Sequence, residues 1–123
     1  MSRILVVEDN ERNMYLITFI LEKMGHGVLR AVTGEEGVEV AVRERPDLIL
    51  MDIQLPGIDG LEATKRIRAS ETAGGIPIVA VTSFAMTGDR ERLLAAGCNG
   101  YIEKPIDPDT IMAQIAGFLG ERS

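Results

Sequence analysis

Two kinds of hydrophobic pattern alternate along this chain. Short apolar runs occur at residues 4–7, 28–32, 48–51, 78–81 and, more weakly, 101–102. Three of them are nearly unbroken Ile, Val and Leu, the signature of strands covered on both faces. Between the runs, apolar positions repeat at helical spacing: Met14, Ile17, Ile20, Leu21 and Met24; Val38, Ala41 and Val42; Leu61, Thr64 and Ile67; Met86, Leu93 and Leu94; Ile111, Ile115 and Phe118. Punctuation agrees with the periodicity. Thr33 and Glu36 read as a capping box, Asp59 and Glu62 as its aspartate analogue, and Asp107–Pro108 as a helix start. Gly25, Gly97 and Gly120 stand where helices should stop, and Pro46 and Pro77 just ahead of strands. Five strands and five helices in strict alternation predict an α/β fold: a doubly wound, five-stranded parallel sheet in the order 2-1-3-4-5, with helices on both faces.

Composition narrows the class. A chain of 123 residues with 46% hydrophobic and 26% charged residues reads as one soluble globular domain spanning residues 1–123. No apolar run reaches the length of a membrane span, and the start, MSRILVVEDN, lacks the build of a signal peptide. Cys98 is the single cysteine, so no internal disulfide forms and the expected compartment is the cytoplasm. A net charge of −6 leaves no basic surplus for phosphate backbones, which disfavours direct nucleic-acid binding. The basic stretch Lys65, Arg66, Arg68 reads as a solvated helix face, His26 as a loop residue, and Cys98 as a small apolar-type residue after a helix end.

In this topology ligands bind beyond the carboxyl ends of the strands, at the switch point between strands 1 and 3. Glu8, Asp9 and Asn10 follow strand 1, Asp52 ends strand 3, Thr82 and Ser83 end strand 4, and Glu103, Lys104 and Pro105 end strand 5. Carboxylates about 5 Å apart repel by about 3 kcal/mol at an effective dielectric of about 20. Lys104 offsets one of them, and a divalent cation would offset the rest. An open, all-oxygen site suits Mg2+, with Mn2+ able to substitute. A carboxylate can itself be a nucleophile, and Asp52, leaving a buried strand into an accessible loop, is the candidate acceptor of a phosphoryl group. Lys104 and the metal would neutralise phosphoryl oxygens in the transition state, and Thr82 could donate its hydroxyl to one of them once the phosphoryl is attached.

At these residues the chain resembles the receiver domains of two-component response regulators, the CheY-like fold. The matching pieces are ILVVEDN, PDLILMDIQLPGIDGLE, IPIVAVTSFA and GYIEKPI, in order along essentially the whole length. The resemblance implies a phosphorelay protein that takes a phosphoryl group on Asp52 from a histidine kinase or a histidine phosphotransfer protein. It implies Asp9 and Asp52 as direct Mg2+ ligands, Glu8 nearby or acting through water, and the backbone carbonyl of Gln54 as a further ligand. Lys104 is similar to the phosphate-binding lysine, with a cis bond to Pro105, and Thr82 and Tyr101 to a coupled switch pair. Gln54 and Phe84 occupy positions that set dephosphorylation rate. Such a protein is a stoichiometric acceptor and not an enzyme in the ordinary sense. It signals to a downstream protein effector through the face of helix 4, strand 5 and helix 5, as a monomer or a phosphorylation-linked dimer. The Glu-Asp acidic pair departs from the commoner Asp-Asp, and Ser83 stands where family members often have Ala. The absence of an effector domain and the DIQLP stretch resemble stand-alone receivers of the cell-division and polarity type, and also receivers cut from hybrid kinases; Met1 and the short tail favour the former.

Other readings of the same fold fit less well. A flavodoxin-like carrier needs a phosphate loop after strand 1 and aromatics around a flavin, whereas this loop is acidic and the chain has no Trp. An aspartate-based phosphohydrolase places a second Asp two residues after the nucleophile, where this chain has Gln54.

Overall fold

The computed structural model describes residues 2–83 and 87–120, with backbone alone at 87 and 88. The elements are β1 (Arg3–Val7), α1 (Glu11–Lys23), β2 (Gly27–Ala31), α2 (Gly34–Glu44), β3 (Leu48–Asp52), α3 (Gly60–Arg68), β4 (Ile78–Thr82), α4 (Thr87–Ala96), β5 (Gly100–Glu103) and α5 (Pro108–Phe118). The strands form one sheet in the order β2-β1-β3-β4-β5, and every neighbouring pair is parallel.

Strand alternation divides the core in two. Ile4, Val6, Leu48, Leu50, Val79, Val81 and Ile102 face α1 and α5, where Ile17, Leu21, Ile111 and Ile115 cover them. Leu5, Val7, Ile49, Met51, Ile78 and Ala80 face α2, α3 and α4, where Ala41, Ala63, Ile67 and Leu93 cover them. β3 and β4 are buried throughout and β1 from its second residue, as continuous apolar runs require; β2 and β5, at the edges, are less so.

The helix caps form as expected. Thr33 and Asp59 accept the N–H groups of Glu36 and Glu62 at 3.1 and 2.9 Å, and Asp107 accepts those of Asp109 and Thr110. Asn10 also caps α1, accepting the N–H of Asn13 at 3.0 Å, so the acidic pair Glu8–Asp9 lies outside the helix.

Several expectations are corrected. Val32 lies beyond β2 and is exposed. α2 turns Val40 and Ala41 inward and leaves Val42 40% exposed, because Gly34 and Gly37 share the buried stripe. In α4, Leu93 is buried and Leu94 is 50% exposed. His26 does lie in the loop between α1 and β2, as expected, but is buried there, its Nδ1 accepting the N–H of Ser2 at 3.1 Å. Arg68 does not join Lys65 and Arg66 on a solvated face. Its guanidinium donates to the carbonyls of Gly97 (2.9 Å), Gly74 (3.0 Å) and Ile76 (2.5 Å) and to Asn99 Oδ1 (2.7 Å), clamping α3 to the turns that start β4 and β5. Met86 and Phe84 lie outside the described residues.

Candidate phosphoacceptor and metal site

The strand rows that build the core also build the site. Glu8 lies two residues beyond Val6, Asp52 two beyond Leu50, and Lys104 two beyond Ile102, all on the α1/α5 face. Alternation thus carries two acids and one base past the strand ends on the same side. They meet there. Lys104 Nζ stands 3.1 Å from Asp52 Oδ2 and 3.3 Å from Glu8 Oε1. Asp9, exposed at the start of the following loop, completes the group. Glu8, Asp9 and Asp52 each present a carboxylate oxygen, and the three oxygens lie within 4.8 Å of one another.

Local backbone bonds fix the carboxylates. Asp52 Oδ1 accepts the N–H of Gln54 at 3.0 Å, leaving Oδ2 toward Lys104. Glu8 Oε2 accepts the N–H of Asn10 at 3.2 Å, while the buried Oε1 faces the Lys104 ammonium. The N–H of Ile53 donates to Val81 at 3.2 Å and that of Lys104 to Thr82 at 2.8 Å, tying the ends of β3 and β5 to β4. The Lys104–Pro105 bond is cis.

The electrostatics are those of a site short of positive charge. Burial pushes the Glu8 carboxyl up to about 7, and its hydrogen bond with Asp52 and the repulsion between the two carboxylates add to that; Asn10 and Lys104 pull the other way. Burial works against the Lys104 ammonium, but Asp52 and Glu8 together outweigh it and raise its pKa. One ammonium therefore serves two buried carboxylates. The donor set is hard, all oxygen and open on the Asp9 side, which fits Mg2+.

Thr82 and Tyr101 lie on the other face. Tyr101 pairs in register with Ala80 and Glu103 with Thr82, so both follow the α2–α4 row. Thr82 is buried; Tyr101 is half-buried against that core, with the Arg90 guanidinium 6.0 Å from its ring centre. Thr82 also borders a cleft of about 290 Å³ with Ile53, Gln54, Leu61, Asp89 and Arg92.

Residues 4–116 match the family described as response regulator receiver domain. The chain belongs to the response regulator receiver family. It is 45% identical over 118 residues to the polar-differentiation response regulators DivK of Brucella anthropi and Brucella suis, covering 96% of each chain. Among solved receivers, that of the sensor histidine kinase PA1611 from Pseudomonas aeruginosa is 40% identical, with a TM-score of 0.89 over 98% of both chains, and carries a magnesium ion in its active-site cleft. CheY4 of Vibrio cholerae is 25% identical, with a TM-score of 0.92 over 96% of this chain and 98% of its own. This receiver is a response regulator of two-component phosphorelay type, and its acidic cluster is compatible with magnesium. No helix among the described residues is long and apolar enough to cross a membrane.

One surface escaped the sequence reading. Tyr15 and Phe19, 73% and 54% exposed, stack on α1 with ring centres 6.4 Å apart. With Met14, Val32 and Arg30 they border an apolar groove of about 360 Å³ that runs into Glu8 and Asp9. The signal was present: two aromatics four residues apart, off the buried stripe of α1.

Proposed function

We propose that residues 1–123 form a single receiver domain in which Asp52 is the phosphoacceptor. The observation that carries this reading is the convergence of three carboxylate oxygens within 4.8 Å beside Lys104, whose ammonium stands 3.1 Å from Asp52 Oδ2. Asp52 Oδ2 attacks the phosphorus of a phosphohistidine on a kinase or phosphotransfer protein. The P–N bond breaks as the P–O bond forms, and the imidazole leaves with a proton. Asp9, Asp52 and the Gln54 carbonyl would hold Mg2+, with Glu8 acting nearby or through water and Mn2+ able to substitute. Bound there, the cation would neutralise the carboxylates and phosphoryl oxygens together. Lys104 moves from Asp52 to a phosphoryl oxygen, and once the phosphoryl is attached the Thr82 hydroxyl donates to another.

The readout follows from the added charge, about −1.5 to −2 by analogy with other phosphorylations. It favours the arrangement in which Thr82 approaches the phosphoryl and Tyr101 turns inward. To reverse a 1:99 equilibrium it must favour that arrangement by about 5.5 kcal/mol, within reach of a few charge-assisted hydrogen bonds. A downstream protein effector reads the α4–β5–α5 face. The likeness to polar-differentiation response regulators supports a signalling role of that kind; in our reading the protein works in the cytoplasm, as a monomer or a phosphorylation-linked dimer without direct nucleic-acid or membrane contact. The protein acts stoichiometrically, at most taking phosphoryl from small donors and releasing it. The apolar groove beside Asp9 is the surface we assign to the phosphodonor, because a donor reaching Asp52 must cover this rim.

The test is labelling with acetyl phosphate. The wild-type chain gains one acid-stable, base-labile phosphoryl group with Mg2+ and none with EDTA, and Asp52→Asn gains none. Equal labelling of Asp52→Asn rules out the acceptor.

A further inference from the structure

Gly60 opens α3 at the far end of the loop that starts at Asp52, and its surroundings are backbone on the site side. A Cβ built there would fall on the carbonyl oxygen of Asp52, with Ile53 Cα at 2.8 Å and the Asp52 carbonyl carbon at 3.0 Å. None of these atoms can be relieved by a rotamer change. Gly60 is not among the glycines with positive φ, so its backbone angles do not call for glycine. Close approach does.

The contact is locked from both sides. The Gly60 N–H donates to the Ile53 carbonyl at 3.1 Å, and the buried Thr64 hydroxyl donates to the Gly60 carbonyl at 2.7 Å. α3 cannot easily retreat: Ala63, Thr64 and Ile67 are fully buried, and Arg68 clamps its end to three backbone carbonyls. The yielding element is therefore the Asp52–Ile53 peptide, which carries the acceptor carboxylate.

We propose that Gly60 is a positioning residue for phosphoryl acceptance. Its missing side chain lets α3 seat against the Asp52 backbone, which aims the carboxylate at Lys104 and keeps its oxygens in register with Asp9 for a divalent cation. The proposal rests on the reading of Asp52 as acceptor.

Gly60→Ala tests it, beside Gly97→Ala as a control for crowding. The Gly97 Cβ would meet the Arg68 side chain at 2.8 Å, at a left-handed position remote from the acids. Mg2+ binding is titrated by calorimetry on the folded protein, and acetyl phosphate labelling is resolved into maximal rate and half-saturation. Gly60→Ala is expected to bind Mg2+ about tenfold more weakly, because Mg2+ demands near-octahedral oxygens. Its maximal labelling rate should fall by about 100-fold, the scale of an ångström's misplacement. Gly97→Ala should lose thermal stability and keep the wild-type Mg2+ affinity. If Gly60→Ala fails to fold, the double variant with Arg45→Gly, which relieves the left-handed φ of 47° at the end of α2, is measured instead. Wild-type Mg2+ affinity and rate in Gly60→Ala overturn the proposal, as does a chain unfolded in both backgrounds, since the role is then architectural. A wild-type chain that takes no phosphoryl defeats the acceptor assignment, while the Mg2+ titration still judges Gly60 by itself.

Discussion

The backbone N–H of Lys104 donates to the carbonyl of Thr82 at 2.8 Å. The residue whose ammonium faces Asp52 is thus fastened to the end of the strand that carries the hydroxyl on the opposite face of the sheet. A phosphoryl group that draws on both side chains acts on two strand ends already joined. Thr82→Ala should therefore accept phosphoryl at close to the wild-type rate and lose coupling to the effector. Effector binding with and without beryllofluoride measures this, and an unchanged response refutes the switch role.

Glu8 makes the site pH-sensitive in a direction that can be worked out. Its pKa rises from the ordinary carboxyl value of 4.5 to about 7 on folding, chiefly through burial. The folded state holds this proton more tightly than the unfolded one, so the group's stabilising contribution is complete below about 4.5 and is lost as pH rises through about 7. Metal binding works the other way, because a cation needs the ionised carboxylate. Mg2+ affinity should rise about tenfold between pH 6 and 8, the rise in the ionised fraction of one carboxyl titrating at about 7, and Glu8→Gln should flatten the profile. Calorimetry in buffers of different ionisation enthalpy reads the released proton.

Removing the Lys104 counter-charge separates binding from transfer. Lys104→Met leaves Glu8 and Asp52 facing each other without an ammonium. Its Mg2+ affinity should rise, and its labelling by acetyl phosphate should slow by about 100-fold, the scale of losing one charge-stabilising donor. Weaker Mg2+ binding with unchanged labelling would contradict the assigned roles.

The apolar groove predicts a split between donors. Tyr15→Ala with Phe19→Ala should slow phosphotransfer from a phosphotransfer protein by at least about tenfold, the loss typical of one interface anchor. Labelling by acetyl phosphate should not change, since a donor that small does not need the groove. Equal loss with both donors would place the effect in the fold.

Arg68 is the largest departure from the sequence reading, and its effect should fall on stability. Arg68→Ala strips a donor from three backbone carbonyls and from Asn99. The expected cost is about 2–3 kcal/mol, the price of unsatisfied, partly buried acceptors. A denaturant titration measures it, and Mg2+ affinity should stay at the wild-type value.

The fold was legible because three strands are buried on both faces and so read as unbroken apolar runs, and because Thr33, Asp59 and Asp107 cap where their helices begin. The core of the site was legible for a related reason: Glu8, Asp52 and Lys104 continue rows of apolar residues, and a charge at the end of such a row must face others like it. What escaped depends on contacts between elements distant in sequence. Arg68 looks solvated until the turn at Gly97 is brought beside it. Val42 and Leu94 look buried until Gly34, Gly37 and Leu93 take the inner positions. Tyr15 and Phe19 stand out as an exposed pair only once the stripe through Ile17 and Leu21 is set against the sheet.

The most direct measurement of the central claim is a structure grown with Mg2+ and beryllofluoride. The account predicts the beryllium on Asp52 Oδ2, with Mg2+ held by Asp9, Asp52 and the Gln54 carbonyl, and with Lys104 and Thr82 on separate fluorines. Beryllofluoride on another carboxylate, or a cation seated away from these acids, would contradict it.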